Sequence, residues 1–354
     1  MDVGNCISAP KLLNGLSMTS IGRSLIIYGG YMKDDGRLGG GLLSYDTISG
    51  IWREYKTYHY TDEYFYFASI IANGNLVYIF GGTDLEDYHP YTNSLVSYDF
   101  RNGTLQTLFH ETHDCDENTP PPMSNSCIFY HNTCIYVLGG IYDDVHVNTM
   151  YKFCLSTSTW SLVPQNGQKP LLTGNTFGTI FNNRFYLFGD SSVTGPNGFR
   201  DAMIFDFSTN TWTIMKTSSK IEQYPEDRIE ESFAFSSNLG YLVGGKKADT
   251  IYTDIWRIDL ETLEWVKLEY STHTGLDISC TSIVDNCYLF SAEGCDYDSG
   301  LLKVFERFTI QPPTLYQLSL ESLKRSPNLG INGISLPPSI MDELNLNAKD
   351  SSSK

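Results

Sequence analysis

Positive charge is scarce in this 354-residue chain. Its 24 Lys and Arg residues stand against 41 Asp and Glu, for a formal net charge of −17. A surface that acidic repels phosphate backbones and anionic headgroups, so neither nucleic acid nor a membrane surface is an expected partner. Basic proteins, or peptides held in a locally basic pocket, remain open. Long apolar runs are also missing, and no stretch approaches the roughly 20 apolar residues of a membrane span. The N-terminal MDVGNCISAPKLLNG lacks both the basic start and the apolar centre of a secretory signal. The expected location is the cytoplasm and/or the nucleus. The eight cysteines form no CxxC pair, and several, such as Cys127 in SCIFY and Cys287 in CYLF, sit in apolar runs. They read as buried free thiols rather than zinc ligands.

Catalytic signatures are equally sparse. The seven histidines make no HExxH and no i, i+4 pair. His110 and His113, in FHETHDCDE, read as part of a polar loop. There is no P-loop, no G-x-S-x-G elbow and no G-x-G-x-x-G after a strand. The glycines at 39–41 precede a strand, which argues against a phosphate cradle, and SYDTISGIW has the letters of an Asp box at the wrong spacing. The chain is therefore expected to be non-catalytic, with no cofactor and no metal.

A repeat is what the sequence does have. A short apolar strand ending in a glycine pair recurs as LIIYGG, VYIFGG, IYVLGG, FYLFGD, GYLVGG and CYLFSAEG. The terminal positions Gly30, Gly82, Gly140, Asp190, Gly245 and Gly294 are spaced by 52, 58, 50, 55 and 49 residues. Before each lies a smaller, partly polar strand, from GLSMTSIG to SCTSIVDN. After the glycines come a variable loop and a further strand: LLSYD, LVSYD, MYKFC, AMIFD and IWRID. Trp52, Trp160, Trp212 and Trp265 follow about six residues later; Leu105 takes that place in the second unit, and the sixth unit lacks it. Units of four short strands cannot cover both faces of their small sheets alone, so they stack into a ring. Tryptophan suits the wedge between neighbours.

Residues 15–310 thus resemble the kelch-repeat family, whose period is about 50 residues. Many kelch units also carry P-x-x-R-x-x-H before the first strand. Here Pro225 to Arg228 keeps part of it, with Glu231 in place of His. The implied fold is all-β: a six-bladed kelch propeller over 1–310, followed by a short α-helical tail over 311–346 and a disordered end over 347–354. Residues around 5–14 are candidates for the outer strand that the sixth unit lacks.

The tail breaks the repeat. Prolines precede Thr314, a good N-cap, and Leu315, Leu318, Ser319, Ser322 and Leu323 fall at helical spacing. A second segment, ISLPPSIMDELNL, starts on its own proline. Together they resemble the paired box by which von Hippel–Lindau-type receptors dock on elongin C and cullin-2. Thr314, Leu315, Ser319 and Leu323 fill the first half, with Ser319 where Cys is usual. Leu336, Pro337, Ile340 and Leu344 fill the second. A kelch disc carrying this box resembles the kelch domain-containing substrate receptors of cullin-2 ubiquitin ligases. The resemblance implies elongin C, elongin B and cullin-2 as partners, and protein substrates held through C-terminal or internal degrons.

A captured carboxylate needs cations or N–H donors on the face shared by the post-glycine loops and the approaches to each first strand. Arg228, Arg200, Ser232, Lys246 and Lys247 cluster in the fourth and fifth units, with Arg228 the leading candidate; Tyr64 and Tyr66 could line an aromatic wall. Two readings follow. In one, the chain is a ligase substrate receptor. In the other, it is a kelch interaction scaffold whose tail merely packs on the ring. The direction in which Leu315 and Leu336 project distinguishes them.

Overall fold

Each glycine-ended segment forms the second strand of an antiparallel blade. The computed structural model describes residues 5–7, 10–12, 15–32, 38–55, 66–83, 91–172, 174–189, 197–273, 279–293, 305–325, 337 and 339–340. Blade 1 runs through Ser17–Ile21, Ser24–Met32, Leu38–Asp46 and Trp52–Tyr55. The same meander recurs through blade 5, which ends on Glu264–Ser271. Blade 6 has three strands among the described residues: Ser279–Val284, Tyr288–Glu293 and Phe305–Thr309. The first strands stand side by side around the axis, and that of blade 6 returns to that of blade 1, closing a six-bladed propeller.

Hydroxyls tie the inner ring. Ser17 donates to the carbonyl of Ala68 in blade 2, and Ser69 donates to that of Ser126 in blade 3. Ser232 and Thr281 meet at 2.9 Å between blades 5 and 6, and Ser20 donates to Ile283 at 2.7 Å across the closure. The partly polar first strands therefore have a structural use: an edge facing a narrow channel needs partners for its backbone, and small hydroxyls supply them at close range.

The glycine pair answers a steric demand. Gly81 has φ +67°, and a Cβ there would lie 2.3 Å from the carbonyl oxygen of Met123, on the approach to blade 3. That carbonyl accepts the N–H of Gly82 at 3.0 Å. Only a residue without a side chain lets the next blade's backbone come this close.

Tryptophans fill the wedges, each against the preceding blade. Trp160 packs edge-on to Phe80 and Phe109 of blade 2. Trp265 meets Phe188 and Phe199 of blade 4, and its indole N–H donates to the Phe199 carbonyl at 2.9 Å. Trp212 is 2 % exposed among Phe129, Tyr136 and Phe185. Trp52 reaches Phe305 of blade 6, and Leu105 takes the corresponding place between blades 1 and 2. The fifth wedge has no tryptophan; Tyr270 stacks on Phe308 there at 5.7 Å.

The N-terminal strands correct one expectation. Asn5–Ile7 pairs with Trp52–Tyr55, and Lys11–Leu12 pairs with Ser24–Met32, so both extend blade 1 rather than completing blade 6. The outermost strand of blade 1 still has a free hydrogen-bonding edge, and the adjoining N-terminal segment takes it.

Truncating Trp265 to Ala should cost about 3–5 kcal/mol, the range for a large buried aromatic. Urea unfolding of the variant measures this, and a loss below about 1 kcal/mol would show that the wedge is not closed by this side chain.

Candidate functional site

After Thr309 the chain leaves the sheet and forms helix α1, Leu315–Arg325. Its start is a capping box: the Gln317 N–H donates to Thr314 Oγ1 at 3.2 Å, and the Thr314 N–H donates to Gln317 Oε1 at 2.7 Å. Eleven residues make a marginal helix in isolation, so packing must hold it. Leu320 is buried, and Glu321 accepts from the Tyr288 hydroxyl at 2.8 Å and from Arg307 at 3.2 Å. Arg307 in turn lies 4.6 Å over the Tyr288 ring. Burial, followed by the hydrogen bond to Glu321, pushes the Tyr288 phenol up to about 12, so it remains a donor.

The face of α1 turned away from the disc is apolar and open. Leu315 is 83 % exposed and Leu318 45 %, while Tyr316, 51 % exposed, lies at the edge of that face, over the groove that the helix forms with Arg23, Ile48 and Asp285. Ser319 and Ser322 are exposed as well, Leu323 is half-buried, and the Ser319 hydroxyl donates to the Leu315 carbonyl at 2.7 Å. The expected stripe of Leu315, Leu318, Ser319, Ser322 and Leu323 is thus a real face, and all of it but Leu323 faces solvent. Gln317, Leu320 and Glu321 hold the disc instead. In the second half of the box, Pro337 is exposed, Ile340 is half-buried, and the Ile340 N–H donates to the Pro337 carbonyl at 3.0 Å. Leu336 and Leu344 lie outside the described residues.

The other concavity is the central channel, a cavity of about 370 Å³ lined by the first strands of all six blades. Every blade contributes at least one hydroxyl residue to its wall, Ser17, Ser69, Ser126, Thr176, Ser232 and Thr281 among them. Among the described residues the lining carries no charged side chain. A peptide entering the channel would meet hydroxyls, backbone groups and apolar side chains such as Phe67 and Phe177, and any cation would have to come from the rim.

The rim departs from the sequence expectation at its leading residue. Arg228 is 1 % exposed. Its guanidinium grips Asp254 at 2.7 and 3.4 Å and donates to the carbonyls of Glu226 and Gly244 at 3.0 and 3.1 Å. It also stacks 3.9 Å from the Tyr252 ring centroid, and the Tyr252 hydroxyl donates to Glu226 at 2.9 Å. Arg228 therefore braces the loops of blade 5 and is not presented to a ligand. Burial pushes the Asp254 carboxyl up, but the hydrogen bonds and charge of Arg228 outweigh it, and the carboxyl titrates below its ordinary range.

Ser232 is buried in the channel wall on Thr281. Lys246 is ion-paired with Glu230 and, with exposed Lys247, forms a small hairpin against Thr250–Ile251. Arg200 ends the 3-10 turn Gly198–Arg200 and lies exposed, 4.5 Å over the Tyr224 ring. Tyr66 is half-buried and bridges Thr83 through paired backbone bonds of 2.9 Å. Tyr64 lies outside the described residues. The bridges Tyr66–Thr83, Ser124–Ile141 and Ile229–Lys246 place strand approaches and post-glycine residues on one face. The T-x-x-Q signature of the capping box was available in the sequence. The Asp254 and Tyr252 partners of Arg228 come from a different strand and left no local signal. Among the described residues, no helix is long and apolar enough to cross a membrane, and no three His, Cys, Asp or Glu side chains gather as a metal site.

Comparison with known proteins places this architecture among relatives. The family model "KLHDC2/KLHL20/DRC7 Kelch-repeats domain" matches residues 7–189 and 104–291. Kelch domain-containing protein 10 of Rattus norvegicus is 23 % identical over 345 residues, covering 90 % of this chain and 81 % of that protein. The Homo sapiens protein of the same name is also 23 % identical, over 90 % of this chain and 75 % of its own. Kelch domain-containing protein 1 of Mus musculus is 24 % identical over 259 residues, or 64 % of this chain and 62 % of that protein.

Replacing Arg228 with Met should cost about 3–5 kcal/mol, because it strands the Asp254 carboxylate. Asp254 has a depressed folded-state pKa, so its share of stability is present above the ordinary carboxylate value of about 3.9 and disappears as pH falls through the lower folded value. The gap between wild type and Arg228→Met should therefore narrow in acid. Denaturant titrations at neutral pH and near pH 3 measure it, and a neutral variant would return Arg228 to the list of ligand-binding residues.

Proposed function

The chain belongs to the kelch-repeat propeller family, a fold of protein-interaction modules, and from that premise we propose that it is the substrate-recognition subunit of a cullin-2–elongin B/C ubiquitin ligase. The observation that carries this reading is Leu315. Leu315 is 83 % exposed, and apolar side chains left exposed together on one ordered element mark an interaction surface. Here it sits with Tyr316 and Leu318 on a helix whose opposite face is fixed to the disc. Helix-in-groove docking uses a few such anchors, set on an element that is already ordered. Thr314 and Ser319 flank the anchor, and Pro337 and Ile340 represent the second half of the box among the described residues.

On this reading the chain performs no chemistry of its own and acts in the cytoplasm and/or nucleus. The propeller binds a protein segment, a C-terminal or internal degron, over the channel mouth. Ser232 and the other channel hydroxyls would accept its polar backbone. Exposed Arg200 and Lys247 would supply positive charge from the rim, and Arg228 would keep the blade-5 loops in shape. The scaffold reading loses ground because α1 buries Leu320 against the disc but turns Leu315 and Leu318 away from it.

Co-purification with elongin B, elongin C and cullin-2 tests the reading, with a chain ending at Ile310 as the comparison. The full chain should bring down the complex and the shorter chain should not. The Leu315→Asp variant should lose the association while keeping stability within about 0.5 kcal/mol, as expected of a surface change. A full-length chain that fails to associate would favour an interaction scaffold instead.

A further inference from the structure

The third strand of a blade ends in a turn with a built-in anion site. In blades 1, 2, 4 and 5 the closing residue is Asp46, Asp99, Asp206 or Asp259. Each carboxylate accepts the backbone N–H two residues on, from Ile48 at 3.1 Å, Arg101 at 2.7 Å, Ser208 at 2.9 Å and Glu261 at 2.8 Å. These are Asx turns, which satisfy N–H groups that the ladder leaves open. Blade 3 carries Cys154 at this position. Its Sγ lies 3.1 Å from Ser156 Oγ. The hydroxyls of Ser156 and Thr157, then their N–H groups, draw the thiol down to about 6. The cradle that holds a carboxylate in four blades thus holds a thiolate in the third.

The residue facing this position across the sheet is Ser24, Leu76, Arg184 or Leu239 in the other four blades, and Cys134 in blade 3. Side chains at the two positions reach one another: Arg184 Nε lies 3.5 Å from Asp206. The Leu155 N–H donates to the Thr133 carbonyl at 3.1 Å, just beyond the cysteines, so Cys134 and Cys154 form a non-hydrogen-bonded pair. Such pairs hold their Cα atoms about 4.5 Å apart, within the range of about 4.4–6.8 Å that a disulfide spans. Both side chains are free thiols and neither is fully buried. Burial, then the neighbouring Cys154, raises the Cys134 thiol, so the pair is asymmetric.

We infer that Cys134 and Cys154 are a redox modification site, which a peroxide closes into a cross-strand disulfide and a dithiol reductant reopens. The Cys154 thiolate attacks one oxygen of hydrogen peroxide. The O–O bond breaks, an S–O bond forms, and the departing hydroxide takes a proton and leaves as water. Cys134 Sγ then attacks Cys154 Sγ; the S–O bond breaks, and the hydroxyl leaves with the Cys134 proton as a second water. Two thiols lose two electrons in total, and one peroxide gains them.

The test uses the full-length chain, treated with a small molar excess of hydrogen peroxide and mapped as peptides without reduction. The expected result is a cross-link between the Cys134 and Cys154 peptides, lighter by two hydrogens, formed before any other and reversed by dithiothreitol. Cys154→Asp restores the residue of the other four blades and should keep the thermal midpoint within a few degrees. In that variant the oxidation of Cys134 should slow at least tenfold. The pH dependence of Cys154 alkylation by iodoacetamide should have its midpoint near 6. Two results would overturn the inference. One is a wild-type Cys154 trapped by dimedone as the sulfenic acid while Cys134 stays reduced. The other is an alkylation midpoint at the ordinary thiol value of about 8.5.

Discussion

Closure of the ring is the constraint on which the rest of the molecule depends. Each blade buries its faces only against two neighbours, so no blade has a complete core until the sixth meets the first. The meeting is made by small groups at the axis and large ones at the rim. At the axis, Ser20 of blade 1 donates to the Ile283 carbonyl of blade 6. Farther out, Trp52 and Tyr45 of blade 1 receive Phe305 of blade 6. This gradient from hydroxyl to indole follows the shape of the wedge, which is too narrow for a ring near the channel and too wide for a methyl group at the periphery.

The same constraint explains what could be read in the sequence. Gly81, Trp160, Trp265 and the hydroxyl-rich first strands each answer a local demand that recurs every blade, so the repeat makes them visible. Leu315 was legible for a similar reason: helical spacing behind a proline and an N-cap defines a face, although not which way it turns. The direction is set by Leu320, Gln317 and Glu321; the partners of Gln317 and Glu321, which are Cys287, Tyr288 and Arg307, lie in blade 6, 14 to 33 residues upstream. Arg228 was misread because its motif position is real but its environment is not local. Asp254 lies 26 residues away, and only folding brings its carboxylate under the guanidinium. The N-terminal strands were misplaced on a simpler ground. An unfilled outer strand in blade 6 and a free edge in blade 1 look alike in a sequence, and the described strands occupy the latter.

Charge is distributed with similar economy. In a chain carrying −17, a buried arginine withdraws one of few cations from the surface. Arg228 and Arg307 are both spent on holding loops or the helix through aromatic and carboxylate partners. Arg200, over Tyr224 and exposed, uses the same stacking with its charge still accessible. Positive potential at the channel mouth therefore has to come from a handful of rim residues; on the proposed reading, this suits an oriented peptide end better than a broad electrostatic attraction.

Among the described residues blade 6 has no fourth strand, and this ties the two candidate surfaces together. In blades 1 to 5 the third strand turns back into a fourth; in blade 6, Phe305–Thr309 leads directly into the capped start of α1. Thr309 pairs with Tyr288, the first residue of the second strand, so α1 leaves from the end of the blade opposite the glycine-pair loops. A strand of this length spans about 17–20 Å. On the proposed reading, the docking helix on one side and the recognition face on the other are joined by a β-sheet rather than by a flexible linker. A substrate held at the channel mouth would keep a fixed position relative to whatever covers Leu315. That rigidity is what a receptor needs in order to present one protein to another.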